Sequence, residues 1–254
     1  MQLWPLSAGS IARVKTSAGL DSDTGEESDT GTRLVVAVDG PSGAGKSSAS
    51  RGAATALGLR YLDTGAMYRA LTWWLLDRGA DVSDAGVVGG LAAEPVIEVS
   101  TDPRAPWTTV DGTDVSAAIR TREVTGAVSA VAAVPQVRAH LIAMQREIIA
   151  NAPGIVAEGR DIGTVVAPDA SVKVFLTADG AARASRRAAE VSSSTAATRA
   201  DQDRRDRLDA DQSEKAADAV VIDSTGLGLD EVVDTIVRLA RERAGVSVPR
   251  QKSR

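Results

Sequence analysis

An apolar run from Leu34 to Val38 leads through Asp39 into Gly40-Pro41-Ser42-Gly43-Ala44-Gly45-Lys46-Ser47. The segment Lys46 to Leu57 that follows carries small residues at helical spacing and stops at Gly58. This is the phosphate-loop pattern G-x-x-x-x-G-K-[ST], in the strand, loop, helix order that its chemistry requires. Gly40, Gly43 and Gly45 let backbone N–H groups converge on an anion, and the helix N-terminus adds favourable partial charge. Lys46 can reach the β and γ phosphates of a nucleoside triphosphate, and Ser47 offers a hydroxyl to Mg²⁺, a hard cation that shares its shell with phosphate and water. The expected ATP site is therefore Gly40, Pro41, Ser42, Gly43, Ala44, Gly45, Lys46, Ser47 and Ser48.

The pattern beyond the loop keeps alternating. A strand is expected at Arg60 to Leu62, and a helix at Ala66 to Arg78 with Met67, Leu71, Trp74 and Leu75 on one stripe. Trp73 and Trp74 therefore read as packing residues rather than a ligand platform. From Pro95 to Ile119 the period shifts toward two, in Val96 to Val99, Trp107 to Val110 and a short region at Val115, with turn signals at Asp102-Pro103 and Asp111-Gly112. A small antiparallel insert is expected there. Helices follow at Arg122 to Ala132 and Pro135 to Asn151, then strands at Ile155 to Ala157 and Val172 to Leu176. The remaining units are a helix from Gly180 to Glu190, a polar stretch from Ser192 to Thr198, an Arg/Asp-rich helix around Arg204 to Asp211, a strand Ala219 to Ile222 and an amphipathic helix Leu229 to Arg243. Strands alternating with helices, several of them unbroken apolar runs, predict an α/β fold with a parallel sheet covered on both faces.

Residues 1–33 read as a disordered tail, with five acidic residues between Asp21 and Asp29 and almost nothing apolar to bury. Residues 245–254 read as a second, solvated tail. The net charge of −5 excludes a basic nucleic-acid binder as the default reading, and seven aromatics are too few for single-strand stacking platforms. Without cysteine there are no disulfides, thiolate nucleophiles or zinc-thiolate sites. No apolar run reaches membrane-spanning length, so a cytoplasmic protein is expected, with a monomer as the default.

A triphosphate site does not say what becomes of the γ-phosphate. GTPases read guanine with Asn-Lys-x-Asp, and the single asparagine here, Asn151, precedes Ala-Pro-Gly. A small-molecule kinase needs further arginines to grip the acceptor and the travelling phosphoryl group, because transfer is mostly positioning and charge neutralisation. Arg69 lies in Asp63-Thr64-Gly65-Ala66-Met67-Tyr68-Arg69, and Arg160 in Glu158-Gly159-Arg160-Asp161, each just after a core strand, where loops gather round a ligand. A third group, Arg199, Arg204, Arg205 and Arg207, suits either a phosphoryl grip or a solvated helix pairing with aspartates. The lone His140 reads as a surface or packing residue.

With these residues in place the chain resembles the bacterial cytidylate kinases, among the nucleoside monophosphate kinases. The resemblance rests on VAVDGPSGAGKSS (Val36 to Ser48), YLDTGAMYRAL (Tyr61 to Leu71), DVSAAIRTREV (Asp114 to Val124), EGRDIGTVVAPDA (Glu158 to Ala170), VKVFLTA (Val172 to Ala178), RRDRLD (Arg204 to Asp209) and DAVVIDST (Asp218 to Thr225), in family order. It implies a P-loop NTPase fold with a five-stranded parallel sheet flanked by helices, a small antiparallel insert and a lid. The kinase domain would span about residues 34–244, with a monophosphate-binding region near 65–150, its insert near 95–121 and the lid near 187–210. It further implies transfer of the γ-phosphoryl of MgATP to CMP or dCMP, in pyrimidine nucleotide metabolism. Thr64, Ser129, Arg138 and Asp161 would hold CMP, the last three reading its cytosine, and Arg69 and Arg160 would hold its phosphate. Arg205 and Asp209 would contact the transferred phosphoryl group and the acceptor sugar. Lys46, Arg160 and Arg205 are thus the expected catalytic residues. Asp39 and Asp63 are either orienters of Mg²⁺ waters or plain strand-end residues.

The lid departs from the family pattern R-D-x-x-D-x-x-R followed by Pro-Leu. Here Arg205-Asp206-Arg207-Leu208-Asp209 leads to Gln212, and Ser213 to Ala216 run directly toward the next strand. A neutral amide replaces neither the charge nor the fork of a guanidinium. A nucleotide-binding module with a weakened lid, and another small-molecule P-loop kinase of the adenylate or shikimate type, therefore stand as alternatives at this stage.

Overall fold

In the computed structural model, which describes residues 33–191 and 214–245, the chain is organised round a five-stranded parallel sheet. In chain order the elements are β1 (Val35–Asp39), α1 (Lys46–Leu57), β2 (Arg60–Asp63), α2 (Thr64–Asp77), α3 (Ala85–Leu91), β3 (Ile97–Val99), β4 (Thr108–Val110), β5 (Thr113–Asp114) and a 3₁₀ turn at Ala118–Arg120. Then come α4 (Arg122–Ala132), α5 (Pro135–Asn151), β6 (Ile155–Glu158), a π-helical turn at Ile162–Val166, β7 (Val172–Thr177), α6 (Gly180–Val191), β8 (Val220–Asp223) and α7 (Leu229–Arg243). The large sheet has the order β2-β6-β1-β7-β8, and β3, β4 and β5 form the antiparallel insert.

Side-chain alternation in β1 explains the two layers. Val36 and Val38 face α1 and α7, packing with Ala49, Ala53, Val232 and Ile236, while Ala37 faces the other way into a core with Leu62, Met67, Leu71, Leu75 and Leu141. The second core continues under the insert through Ile97, Val110, Val115 and Ile119, so the insert shares the core of the parallel sheet. Trp74 is buried in that core, its indole N–H donating to Asp111 Oδ2 at 2.8 Å, and Trp73 packs against it. Both tryptophans are packing residues, as their spacing predicts. Among the described residues no single helix is long and apolar enough to cross a membrane.

The expected elements are found, with small shifts. β6 runs on through Glu158, α2 starts at Thr64 because the Asp63 carboxylate accepts the Ala66 N–H at 2.9 Å, and β5 precedes Val115. Sequence periodicity missed α3 and both short turns. Asp84 caps α3 through the N–H groups of Gly86 and Val87, a local signal that its single buried valine, Val88, is too sparse to reinforce. The tails at 1–32 and 246–254, the polar stretch Ser192 to Thr198 and the Arg/Asp-rich helix lie outside the described residues.

Strand order determines where the loops meet. β6 lies between β2 and β1, pairing Glu158 with Asp63 on one side and with Val38 on the other. The C-terminal ends of β1, β2 and β6 therefore open onto one crevice, the location at which parallel sheets bind ligands.

Candidate active site

The phosphate loop wraps from β1 into α1 with Gly40, Gly43 and Gly45 at φ of 144°, 78° and 93°. Gly40 has a second constraint, since a Cβ there would stand 2.0 Å from the Leu176 carbonyl oxygen of β7. Behind the loop, α6 and the β8–α7 turn hold its carbonyls. Arg183 Nη1 donates to Ser42 O at 3.1 Å, and Arg186 donates to Ser224 Oγ at 2.9 Å and to Ser224 O at 2.6 Å. Ser224 Oγ in turn lies 3.0 Å from both Ala44 O and Thr177 O. In front, Lys46 Nζ donates to Pro41 O at 2.9 Å.

A cavity of about 500 Å³ runs from this loop to the insert. Ser42, Gly43, Gly45, Lys46, Ser47 and Ser48 line one end, while Gly40, Pro41 and Ala44 shape the loop from behind without facing the cavity. Thr64, Arg69, Ser129, Arg138, Arg160 and Asp161 line the rest, so the structure brings together the predicted nucleotide and acceptor residues that it describes. Arg205 and Asp209, with Arg199, Arg204, Arg207 and Gln212, lie outside the described residues, as does most of the expected lid.

On the cavity lining, Arg138 of α5 and Asp161, just past β6, form an ion pair with both side chains largely buried. In the same cavity the Ser129 hydroxyl of α4 is buried, with a relative exposure of 3%, and has no hydrogen-bond partner. A buried hydroxyl without a partner costs free energy, so its place on a cavity wall points to a ligand polar group that would complete it. Tyr68 and Gln145 extend this polar corner. The Gln145 amide nitrogen lies near the Tyr68 hydroxyl, yet neither atom completes a hydrogen bond of normal geometry. Burial pushes the Tyr68 phenol up to about 12, so it stays a neutral hydroxyl. Thr64 also lines the cavity, and its hydroxyl donates to Glu158 O at 2.7 Å.

Two acidic groups mark the middle of the crevice. Glu158 is buried among Lys46, Ser47 and Tyr61, whose hydroxyl donates to Glu158 Oε1 at 2.6 Å. Burial and then the neighbouring Asp63 charge raise its pKa above the ordinary value, while Lys46 and the Ser47 and Tyr61 hydroxyls oppose that rise. Asp39 accepts the N–H groups of Ile162 and Gly163, each at 2.8 Å, and so anchors the π-helical turn that follows Asp161. Its pKa is raised by burial against these two hydrogen bonds. Asp39 and Asp63 therefore both serve backbone: one clamps a turn, the other caps α2. His140, on α5 and half-buried, does not line the cavity.

Sequence reading passed over Glu158, Tyr68, Gln145 and the two α6 arginines. Glu158 had a usable signal, an acidic residue closing an apolar strand next to Gly159 and Arg160. A hard-oxygen pair, the Ser47 hydroxyl and the Glu158 carboxyl, sits beside Lys46, which suits a divalent cation held chiefly by phosphate oxygens and water.

Comparison with known proteins agrees with this geometry. A sequence model of the family described as Cytidylate kinase matches residues 36–242. A cytidylate kinase from Streptomyces griseus is 54% identical over 212 residues, covering 81% of this chain and 92% of its own length. One from Streptomyces coelicolor is 52% identical over 223 residues, covering 85% and 96%. One from Nocardia farcinica is 49% identical over 221 residues, covering 84% and 95%. With a phosphate loop and a polar acceptor pocket on one crevice, and a match spanning nearly the whole of the described chain, the protein belongs to the cytidylate kinase family.

Proposed function

We propose that the protein transfers the γ-phosphoryl group of MgATP to CMP or dCMP, giving ADP and CDP or dCDP. The observation that carries this reading is that the Arg138–Asp161 ion pair and the unpartnered Ser129 hydroxyl line the same cavity as Lys46. Cytosine presents an exocyclic amine next to two acceptors. A carboxylate accepts from the amine, a guanidinium donates to the acceptors, and the serine hydroxyl satisfies what remains. Uracil would turn a carbonyl toward the Asp161 carboxylate and leave buried groups unpaired, which is how base choice becomes an energy.

Each side chain then has a role. The phosphate loop from Gly40 to Ser48 holds ATP. Ser47 would hold Mg²⁺ together with phosphate oxygens and water, with Glu158 beside it, and the ion would neutralise charge on the transferring group. Thr64, Ser129, Arg138 and Asp161 hold the nucleoside, while Arg69 and Arg160 orient the acceptor phosphate. An oxygen of that phosphate attacks the γ-phosphorus in line, forming the new P–O bond as the bond to ADP breaks. Lys46, Arg160 and Arg205 stabilise the charge that develops, and Asp209 contacts the acceptor sugar. No protein nucleophile is needed.

A kinase domain over residues 34–244, with a monophosphate-binding region near 65–150 that includes the insert near 95–121, and a lid near 187–210 that excludes water during transfer, fits this chemistry. A monomeric, cytoplasmic enzyme of pyrimidine nucleotide metabolism is the corresponding setting. The direct test compares the wild type with Lys46→Ala in ADP release driven by CMP. Near-complete loss of turnover with an unchanged far-ultraviolet dichroism spectrum is expected, and a variant that kept wild-type turnover would overturn the reading.

A further inference from the structure

Arg120 ends the 3₁₀ turn that follows the insert and lines the same cavity as Asp63, Gly65, Arg69 and Arg160. There its Nη2 stands 3.7 Å from Asp63 Oδ2, well beyond the roughly 2.7–2.9 Å of a tight charge-assisted hydrogen bond. The pair is unequal. The Asp63 side chain is 16% exposed and that of Arg120 is 58% exposed. Asp63 is also committed elsewhere, because its other oxygen caps α2 through the Ala66 N–H. Asp63 is thus fixed by the helix it caps, while Arg120 is held by one long contact at the open side of the cavity.

Further cationic groups line the cavity near this contact. A Cβ at Gly65, in the first turn of α2, would meet Arg69 Nη1 and Asp63 Oδ1, each at 3.2 Å, so the Arg69 guanidinium stands at the same helix start. The Arg120 and Arg69 guanidiniums thus both lie near the Asp63 carboxylate at the N-terminus of a 14-residue helix, and Arg160 lines the same cavity. A phosphate there would carry up to two charges and three acceptor oxygens, against one charge on a carboxylate that already serves the helix cap.

We propose that Arg120 is a phosphate-gripping residue carried by the insert, which exchanges Asp63 for the phosphate of the acceptor nucleotide when that nucleotide binds. This rests on the CMP-kinase reading above and adds a substrate contact to it. Since Arg120 directly follows the insert, the same exchange ties the insert wall at Ser100, Trp107 and Thr108 to a loaded acceptor site.

The test separates phosphate from nucleoside by titrating the full-length chain with CMP and with cytidine. Arg120→Gln should weaken CMP about tenfold or more while leaving cytidine within about twofold, and Arg120→Lys, which keeps the charge but loses the fork, should fall between. Asp63→Asn keeps an oxygen for the helix cap and removes the competing charge, so it should tighten CMP by about two- to fivefold. Equal weakening of CMP and cytidine in Arg120→Gln, the mark of a displaced insert wall, would overturn the proposal. So would unchanged CMP affinity in that variant, or no gain in Asp63→Asn. A wild type that neither binds nor phosphorylates CMP would instead overturn the functional reading on which the proposal stands.

Discussion

Arg138 and Asp161 meet as an ion pair on the cavity wall, one from α5 and the other from the turn after β6, 23 positions apart in the chain. Neither is held by exposure to water, so removing one leaves the other as a partly buried charge without its partner. The proposed function gives both to cytosine. Arg138→Met and Asp161→Asn should each raise the KM for CMP on the order of 100-fold and leave the KM for ATP within about twofold. Steady-state kinetics with each substrate varied in turn checks this, and equal effects on both substrates would contradict it.

Glu158 should make the folded protein less stable as pH rises. Its pKa is raised on folding, mainly by burial, above the ordinary 4.5. Such a group contributes its full stability below about 4.5, where folded and unfolded states are both protonated, and loses it as pH climbs through the raised folded value. Glu158→Gln, in which the amide oxygen still accepts from Tyr61, removes that loss. Its Tm should match the wild type near about pH 4 and exceed it as pH rises from there toward neutrality, while phosphoryl transfer slows. Thermal melts across that range decide it, and a constant difference would mean that Glu158 does not titrate in the window.

Asp39 satisfies two buried backbone donors at once, the N–H groups of Ile162 and Gly163. Asp39→Ala leaves both without an acceptor and should cost about 2–4 kcal/mol in denaturant unfolding. The π-helical turn that follows Asp161 would lose its anchor, so the KM for CMP should rise as well. Unchanged stability would show that the turn finds other partners.

Gly40 combines a φ of 144° with a 2.0 Å approach of a would-be Cβ to the Leu176 carbonyl oxygen. Gly40→Ala therefore cannot keep the loop where it is, and ATP binding should fall by more than about tenfold. Titration with a fluorescent ATP analogue measures this directly, with wild-type affinity as the contrary result.

The fold was legible wherever local pattern carries the information. The apolar run at β1, the glycines of the loop and the stripe Met67, Leu71, Trp74 and Leu75 each encode their element in a few residues. The site was legible in its motif-borne members for the same reason. Arg120 was not, because its meaning comes from the insert folding back, and the local signal at Glu158, an acidic strand end, does not say which groups it meets. Nothing local says that β6 pairs with both β1 and β2, which sets Glu158 next to Lys46. Similarly, the unpartnered state of Ser129, Tyr68 and Gln145 emerges only when α2, α4 and α5 pack together.

Base choice is the central claim, and an acceptor panel tests it most directly. ADP release by the purified protein with MgATP would be compared for CMP, dCMP, UMP, AMP and shikimate at equal concentration. Rapid turnover with CMP and dCMP, and little with the other three, is the predicted result. Equal turnover with UMP or AMP, or ATP binding with no acceptor-dependent ADP at all, would contradict it.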